Sequence, residues 1–281
     1  MPYVAVHVNF GASNQFEYID GQLRPAHAAL FAQFAAENER VVREGQPTLD
    51  IAYGHHPRQM LDLFRSARRR RATVVYFHGG YWQSRDKCEF RFLAPPLVAD
   101  GSNVAIVNFP LSPEMRIIDI SAAAHGSLAA LAPLTENAPL ILVGHSAGAQ
   151  IEVELGMQAS TDDWKIKAIM AVSGVFDLTP LIDTSANEKL VLDAVAARAA
   201  SPLHHVVSGA PPAIFAVGAL GTRAFREQTA RMSEAWAGAG NANAQVTVPD
   251  ADHFTILNEY SREDGSLRTA IRAFDAQRST S

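Results

Sequence analysis

Cysteine is nearly missing from this chain of 281 residues: Cys88 stands alone. No intrachain disulfide can form, and a reducing compartment fits best. The lone thiol reads as a partly buried, inert side chain. No apolar run is expected to reach the ~18 to 20 residues that a membrane span needs. Met1 to Phe10 show no basic stretch leading into an apolar core, so a signal peptide is not expected. Repeats and Pro- or Ser-rich linkers are also absent, and nothing marks a domain boundary. Nor is there a basic excess: the net charge is −5, which gives no long-range attraction to nucleic acid or to an anionic membrane. The one dense basic run, Arg68 to Arg71, reads as a solvated loop before a strand. These absences lead us to expect a cytoplasmic protein with neither nucleic acid nor membrane as partner.

The remainder is an ordinary globular composition, 48% hydrophobic and 19% charged, large enough to bury a core without a metal or disulfide staple. An amphipathic helix is predicted from about Pro25 to Arg43. Short strands follow at Leu49–Tyr53, Met60–Phe64, Thr73–Phe77, Val104–Phe109, Leu140–Val143, Ala168–Val172, Ala213–Val217 and Gln245–Val248. Helical spacing fills the intervals, notably Ile117–Leu131, Ala147–Gln158 and Arg223–Trp236. Short apolar strands separated by helices predict a mainly parallel sheet covered on both faces. Asn187–Ala200 is helical without being needed as a crossover. It and residues 1–45 are candidate cap elements on a single domain spanning 1–281.

Three motifs carry chemistry. Gly144-His145-Ser146-Ala147-Gly148 lies between a strand and a helix, the context in which G-x-S-x-G forms a nucleophile elbow and indicates the α/β-hydrolase fold. Without that context the same residues are a simple Gly-rich turn. A serine hydroxyl needs a base within hydrogen-bond reach, and in this fold the base follows the last strand. His253 holds that place, whereas His204 and His205 come too early. His78-Gly79-Gly80-Tyr81-Trp82 follows an early strand, where such loops build an oxyanion hole. Backbone N–H groups of Gly80 and Tyr81, or of Gly79 and Gly80, join that of Ala147 as donors. His78 is expected to brace the loop. Trp82 and His145 are candidates for the substrate pocket, although Tyr81 and Trp82 equally suit a core.

On these residues the chain resembles the kynurenine formamidase (arylformamidase) group, which is related to hormone-sensitive-lipase-type esterases. The likeness runs through Ala52-Tyr53-Gly54, Leu61-Asp62-Leu63-Phe64, the HGGYW run with Lys87 after it, the elbow, Ser173-Gly174-Val175-Phe176-Asp177-Leu178, Ser201-Pro202-Leu203 and Asp252-His253-Phe254. It implies hydrolysis of an aryl formamide such as N-formylkynurenine, or of small activated esters, without metal or cofactor. Dimers are common among related enzymes, so a homodimer stays open. One departure stands out. Where the family carries an Asp or Glu after the strand Ala213–Val217, this chain has Gly221, and Ala219, Leu220, Arg223 and Ala224 around it are not acidic. Replacing that acid in a serine protease lowers kcat about 10⁴-fold. Three readings follow: a substitute acid from Asp177 or Glu227, a Ser–His dyad, or a binding protein that no longer turns substrate over. A carboxylesterase or carbamate hydrolase is the alternative within the enzyme class.

Overall fold

A computed structural model describes residues 13–68, 72–158 and 165–276. The ten residues weighed for a signal peptide and Arg69 to Arg71 of the basic run lie outside these; Arg68 is exposed. The helices are α1 (Asn14–Tyr18), α2 (His27–Gly45), α3 (Ala94–Asp100), α4 (Ile117–Leu134), α5 (Ala147–Gln158), α6 (Asn187–Leu190), α7 (Ala194–Ala199), α8 (Arg223–Gly238) and α9 (Ser266–Ala276). The strands are β1 (Thr48–Ala52), β2 (Met60–Phe64), β3 (Thr73–Phe77), β4 (Asn103–Val107), β5 (Leu140–His145), β6 (Ile166–Val172), β7 (Ala213–Gly218) and β8 (Asn243–Val248).

The strands form one eight-stranded sheet in the order β1-β2-β4-β3-β5-β6-β7-β8. β2 pairs antiparallel with β1 and β4, and every pairing from β4 through β8 is parallel. This is the α/β-hydrolase arrangement expected from the sequence. The buried runs of β3, β4 and β5 explain their central place, because a parallel strand has both faces covered by helices. Period-two alternation divides the core. Val75 and Phe77 pack on one face with Ala124 and Leu128 of α4, the α5 aliphatics and Phe225 of α8. Val74 and Tyr76 face the opposite layer with Phe34 of α2, Leu97 of α3 and Ile271 of α9.

Two expectations need correction. Asn187–Ala200 is not one helix: Val191 has φ 51° and separates α6 from α7. Asp193 restarts the helix by accepting from Ala196 N–H, an N-cap that stops α6 from running on. Helix α4, 18 residues long, also meets the measure of a membrane span by length and composition, which the sequence reading had not found. Its Ile120, Ala124, Leu128 and Leu131 belong to the core of this fold.

Candidate active site

The parallel strands deliver their C-terminal ends to one edge of the sheet, where loops gather. At the end of β5 the chain bends sharply: Ser146 has φ 56°, a left-handed conformation that costs a non-glycine residue ~1–3 kcal/mol. The flanking glycines make the bend feasible. A Cβ on Gly144 would lie 2.3 Å from the Gly148 carbonyl oxygen, and one on Gly148 would lie 2.0 Å from that of Phe77. The elbow is therefore pressed against both its own helix and β3. Ser146 N–H donates to Val172 O, fixing the bend to β6. Its side chain stands just ahead of α5, at the positive end of that helix.

The loop after β3 lies alongside. His78 is wholly buried and stacks on Phe109 with ring centroids 4.4 Å apart. Burial holds its pKa down at about 4, so it is a neutral brace, as expected. Gly80 has φ 115° and accepts from Gln83 and Ser84 N–H, while Tyr81 and Trp82 follow at φ 52° and 54°. The loop is anchored from behind by Lys87, whose N–H donates to Asn108 Oδ1 and whose ammonium reaches Asp62 at 2.7 Å. Among the described residues, the backbone N–H groups of Gly80, Tyr81 and Ala147 carry no hydrogen bond. Such groups are available to an oxyanion. Tyr81 donates its hydroxyl proton to Tyr18 O, closing the loop against α1. Trp82 is not a pocket residue: it is fully buried in the core, with its indole N–H donating to Gln150 Oε1 at 3.1 Å. Its large apolar surface is better buried beneath the loop than exposed above it.

His253 follows β8 and the turn at Asp250, which has φ 57°. Its ring is 4.4 Å from Phe225, 4.7 Å from His145 and 5.0 Å from Phe254, centroid to centroid. Its carbonyl accepts the Nε2–H of His145 at 2.7 Å. That contact assigns the His145 proton to Nε2. Burial lowers the His145 pKa to about 4. Burial likewise drives the His253 pKa well below the ordinary imidazole value, with neighbouring His145 adding to the effect and Asp252 opposing it.

The Nδ1 of His253 is buried and without a hydrogen-bonding partner. Neither candidate substitute acid reaches it. Asp177 accepts from Thr179 N–H at 3.1 Å and from Arg231 at 3.2 Å. Glu227 is exposed and pairs with Arg223 at 3.1 Å. Gly221 is buried at the end of the loop after β7, and its N–H donates to Gly218 O. Asp252, the nearest carboxylate in sequence, turns away to His27 of α2 at 2.8 Å and Arg24 at 3.0 Å.

Ser146, His253, His145, Gly79, Gly80 and Tyr81 all border one cavity of about 260 Å³. No hydrogen bond joins Ser146 Oγ to the His253 ring within the described residues; such contacts are often long in unliganded enzymes and tighten on substrate. The opposite wall is Leu23, Phe31 and Phe34 from the N-terminal segment, with Phe90 and Phe254 beside them. Arg85 and Glu89 stand at the same cavity, paired at 2.7 Å. The sequence reading placed a cap in residues 1–45 without naming these residues. The signal was there in the spacing: His27, Phe31 and Phe34 repeat at helical intervals, and they share one face of α2. Asn187–Ala200, the other candidate cap, does not line the cavity. Among the described residues no group of three or more His, Cys, Asp or Glu is placed to hold a metal ion.

Comparison with known proteins places the chain by family and fold. Residues 74–257 match the family described by the α/β-hydrolase fold. Kynurenine formamidase of Danio rerio is 32% identical over 241 residues, covering 80% of this chain and 81% of that protein. The Salmo salar kynurenine formamidase is 30% identical over 237 residues, covering 79% of each. Among solved structures, a Silicibacter species protein with a provisional thioesterase assignment superposes at TM-score 0.81. It is 27% identical, and the match covers 93% of this chain and 99% of that one. Esterase B of Lactobacillus rhamnosis, at TM-score 0.70 and 18% identity over 89% of this chain and 93% of its own, shares the fold.

Proposed function

Because the chain belongs to the α/β hydrolases, in the branch that resembles the kynurenine formamidases and is related to hormone-sensitive-lipase-type esterases, we propose that it is a serine hydrolase of small aryl formamides. Ser146 Oγ attacks the formyl carbon while His253 Nε2 takes its proton. The N–H groups of Gly80, Tyr81 and Ala147 receive the charge that develops on the carbonyl oxygen; losing one such donor typically costs ~3 kcal/mol. His253 then protonates the departing arylamine, and a water activated by the same imidazole releases formate and regenerates Ser146.

One observation carries this reading: the hydroxyl, the imidazole and the loop with unpaired N–H groups border a single cavity. The substrate class is supported by the aromatic wall of Phe31, Phe34, Phe90 and Phe254, which suits a flat ring. With Nδ1 unpartnered and no acid within reach, the mechanism is that of a Ser–His dyad. A cytoplasmic setting, which the single thiol of Cys88 suits, is part of the same proposal; burial raises that thiol's pKa to about 11, so it is unreactive at neutral pH.

A fluorophosphonate probe should label the wild type and leave Ser146→Ala unlabelled. Turnover of N-formylkynurenine against p-nitrophenyl esters separates a formamidase from a carboxylesterase or carbamate hydrolase. The orphaned His253 Nδ1 favours one second reading, a binding protein without turnover. Its signature is thermal stabilisation by aryl amides, retained in Ser146→Ala, with no labelling of the wild type.

A further inference from the structure

In a complete triad, the hydrogen bond from acid to histidine does two jobs. It supports the imidazolium, and it fastens the loop after β7 to the loop after β8. Gly221 leaves that connection unmade from within the two loops. The two loops are nonetheless tied together, by backbone bonds between them and by the N-terminal segment. Arg24 donates its Nε–H to Asp252 Oδ2 at 3.0 Å and a terminal N–H to Leu220 O at 2.6 Å. One guanidinium thus holds the residue before Gly221 and the residue before His253. Leu220 N–H adds a direct bond to Ala251 O at 2.9 Å.

His27 completes the brace. Its Nδ1 accepts from Arg24 N–H at 3.2 Å, which leaves the ring proton on Nε2, and that proton is donated to Asp252 Oδ2 at 2.8 Å. The other oxygen of Asp252 accepts from Phe254 N–H and Thr255 N–H at 3.0 and 2.9 Å, so the carboxylate caps the turn that contains His253. From the opposite side, His145 holds the His253 carbonyl. His253 is therefore gripped through its backbone, and its ring is set by the packing of Phe225 and His145.

We propose that Arg24 and His27 are positioning residues that replace the missing acid at one remove, holding His253 against the loop after β7 so that its imidazole meets Ser146. They touch neither Ser146 nor the ring of His253, and the charge effect that His27 has on that ring works against the imidazolium. Their contribution is geometric, and misplacement of a reacting group by ~1 Å can cost on the order of 10²-fold in rate. The inference rests on the serine-hydrolase reading above.

The experiment measures the bimolecular rate of Ser146 labelling by a fluorophosphonate, with kcat and KM for p-nitrophenyl acetate, a substrate too small to need the aromatic wall. The variants are Arg24→Ala, His27→Ala, His27→Gln and Asp252→Asn. Asp252→Asn keeps the shape of the carboxylate but sets an amide N–H₂ against two donors. Labelling and kcat should fall about tenfold or more in Arg24→Ala, His27→Ala and Asp252→Asn. KM should stay within about twofold, and His27→Gln, which retains an N–H donor, should stay within about threefold of wild type. Thermal melts show whether each variant is folded. If His27→Ala is not, Arg24→Ala decides, because its side chain is 43% exposed.

Unchanged labelling and kcat in Arg24→Ala and Asp252→Asn overturn the inference. So does a loss confined to KM, which would make the segment a pocket wall only, or a His27→Gln variant as impaired as His27→Ala. A wild type that is not labelled at all overturns the serine-hydrolase reading and this inference with it. A labelled wild type with equally fast variants overturns this inference alone.

Discussion

His145 Nε2 lies 2.7 Å from the carbonyl oxygen of His253, so the residue preceding Ser146 holds the backbone of the proposed base. The two halves of the site, one on β5 and one after β8, are joined by that bond. Both rings are buried and lie close together, and His145 disfavours a positive charge on His253.

The first consequence concerns pH. Burial, and His145 after it, place the His253 pKa well below the ordinary imidazole value of about 6.5. A base with a lowered pKa stays unprotonated to lower pH, so kcat/KM should remain flat from pH 8 down to about 6 and fall only below that. A pH profile of kcat/KM checks this. An acid limb centred near pH 7 would show that His253 is not buried as described, or is not the base.

Gly221→Asp tests the unmade triad. Gly221 does not have a left-handed backbone, and a Cβ there meets only Gly218 O at 3.1 Å and Val217 Cγ2 at 3.9 Å. The site accepts a side chain with small adjustments. If the carboxylate reaches Nδ1, kcat should rise roughly 10- to 100-fold, part of the 10⁴-fold that the acid supplies in a serine protease. The acid limb should also move to higher pH, since an anion beside the ring favours its protonated form. Steady-state kinetics of the variant against wild type give both readings.

Gly148→Ala should disable the elbow. Its Cβ would stand 2.0 Å from Phe77 O and 2.7 Å from His78 O, and both are backbone atoms, so neither can rotate away. We expect a stability loss of ~1–3 kcal/mol from overpacking. Displacement of Ser146 should lower labelling by about 100-fold. Denaturant titration and labelling kinetics measure the two separately. Near-wild-type labelling would refute the close approach of α5 to β3.

Glu152 of α5 makes a prediction about stability alone. It is fully buried and neither carboxylate oxygen has a hydrogen-bonding partner, and burial raises its pKa well above the usual value. A group whose folded pKa is raised is protonated in the fold while the unfolded chain ionises from about pH 4.5 upward, so its contribution to stability is lost as pH rises. Glu152→Gln cannot ionise. The variant should gain in Tm relative to wild type from pH 5 to pH 8, and the gap should close towards pH 4. A gap that does not vary with pH would mean that Glu152 is not held protonated.

Much of the fold was legible because each strand carried its own signal. Met60–Phe64 and Thr73–Phe77 are strands at the expected bounds, and Ala147–Gln158 is the expected helix, since apolar runs and helical spacing are local properties of the chain. The elbow and the HGGYW loop could be read for the same reason: their glycines answer to contacts made within a few residues or with the preceding strand. The place of Trp82 is not legible in the sequence, because a large aromatic after such a loop suits core and pocket alike; its burial and the bond to Gln150 decide between them. The kink at Val191 was missed because the Asp193 cap lies inside an otherwise helical pattern.

The sequence by itself determined the α/β order, the bend at Ser146 and the lack of an acid at Gly221, all of which depend on residues close together in the chain. Only the tertiary structure decided what surrounds His253. Arg24 and His27 meet Asp252 across more than 220 positions, and Phe31 and Phe34 close the cavity from the far end of the chain. Contacts at that separation are fixed by how the sheet orders its strands and where α2 packs. No local pattern of residues encodes them.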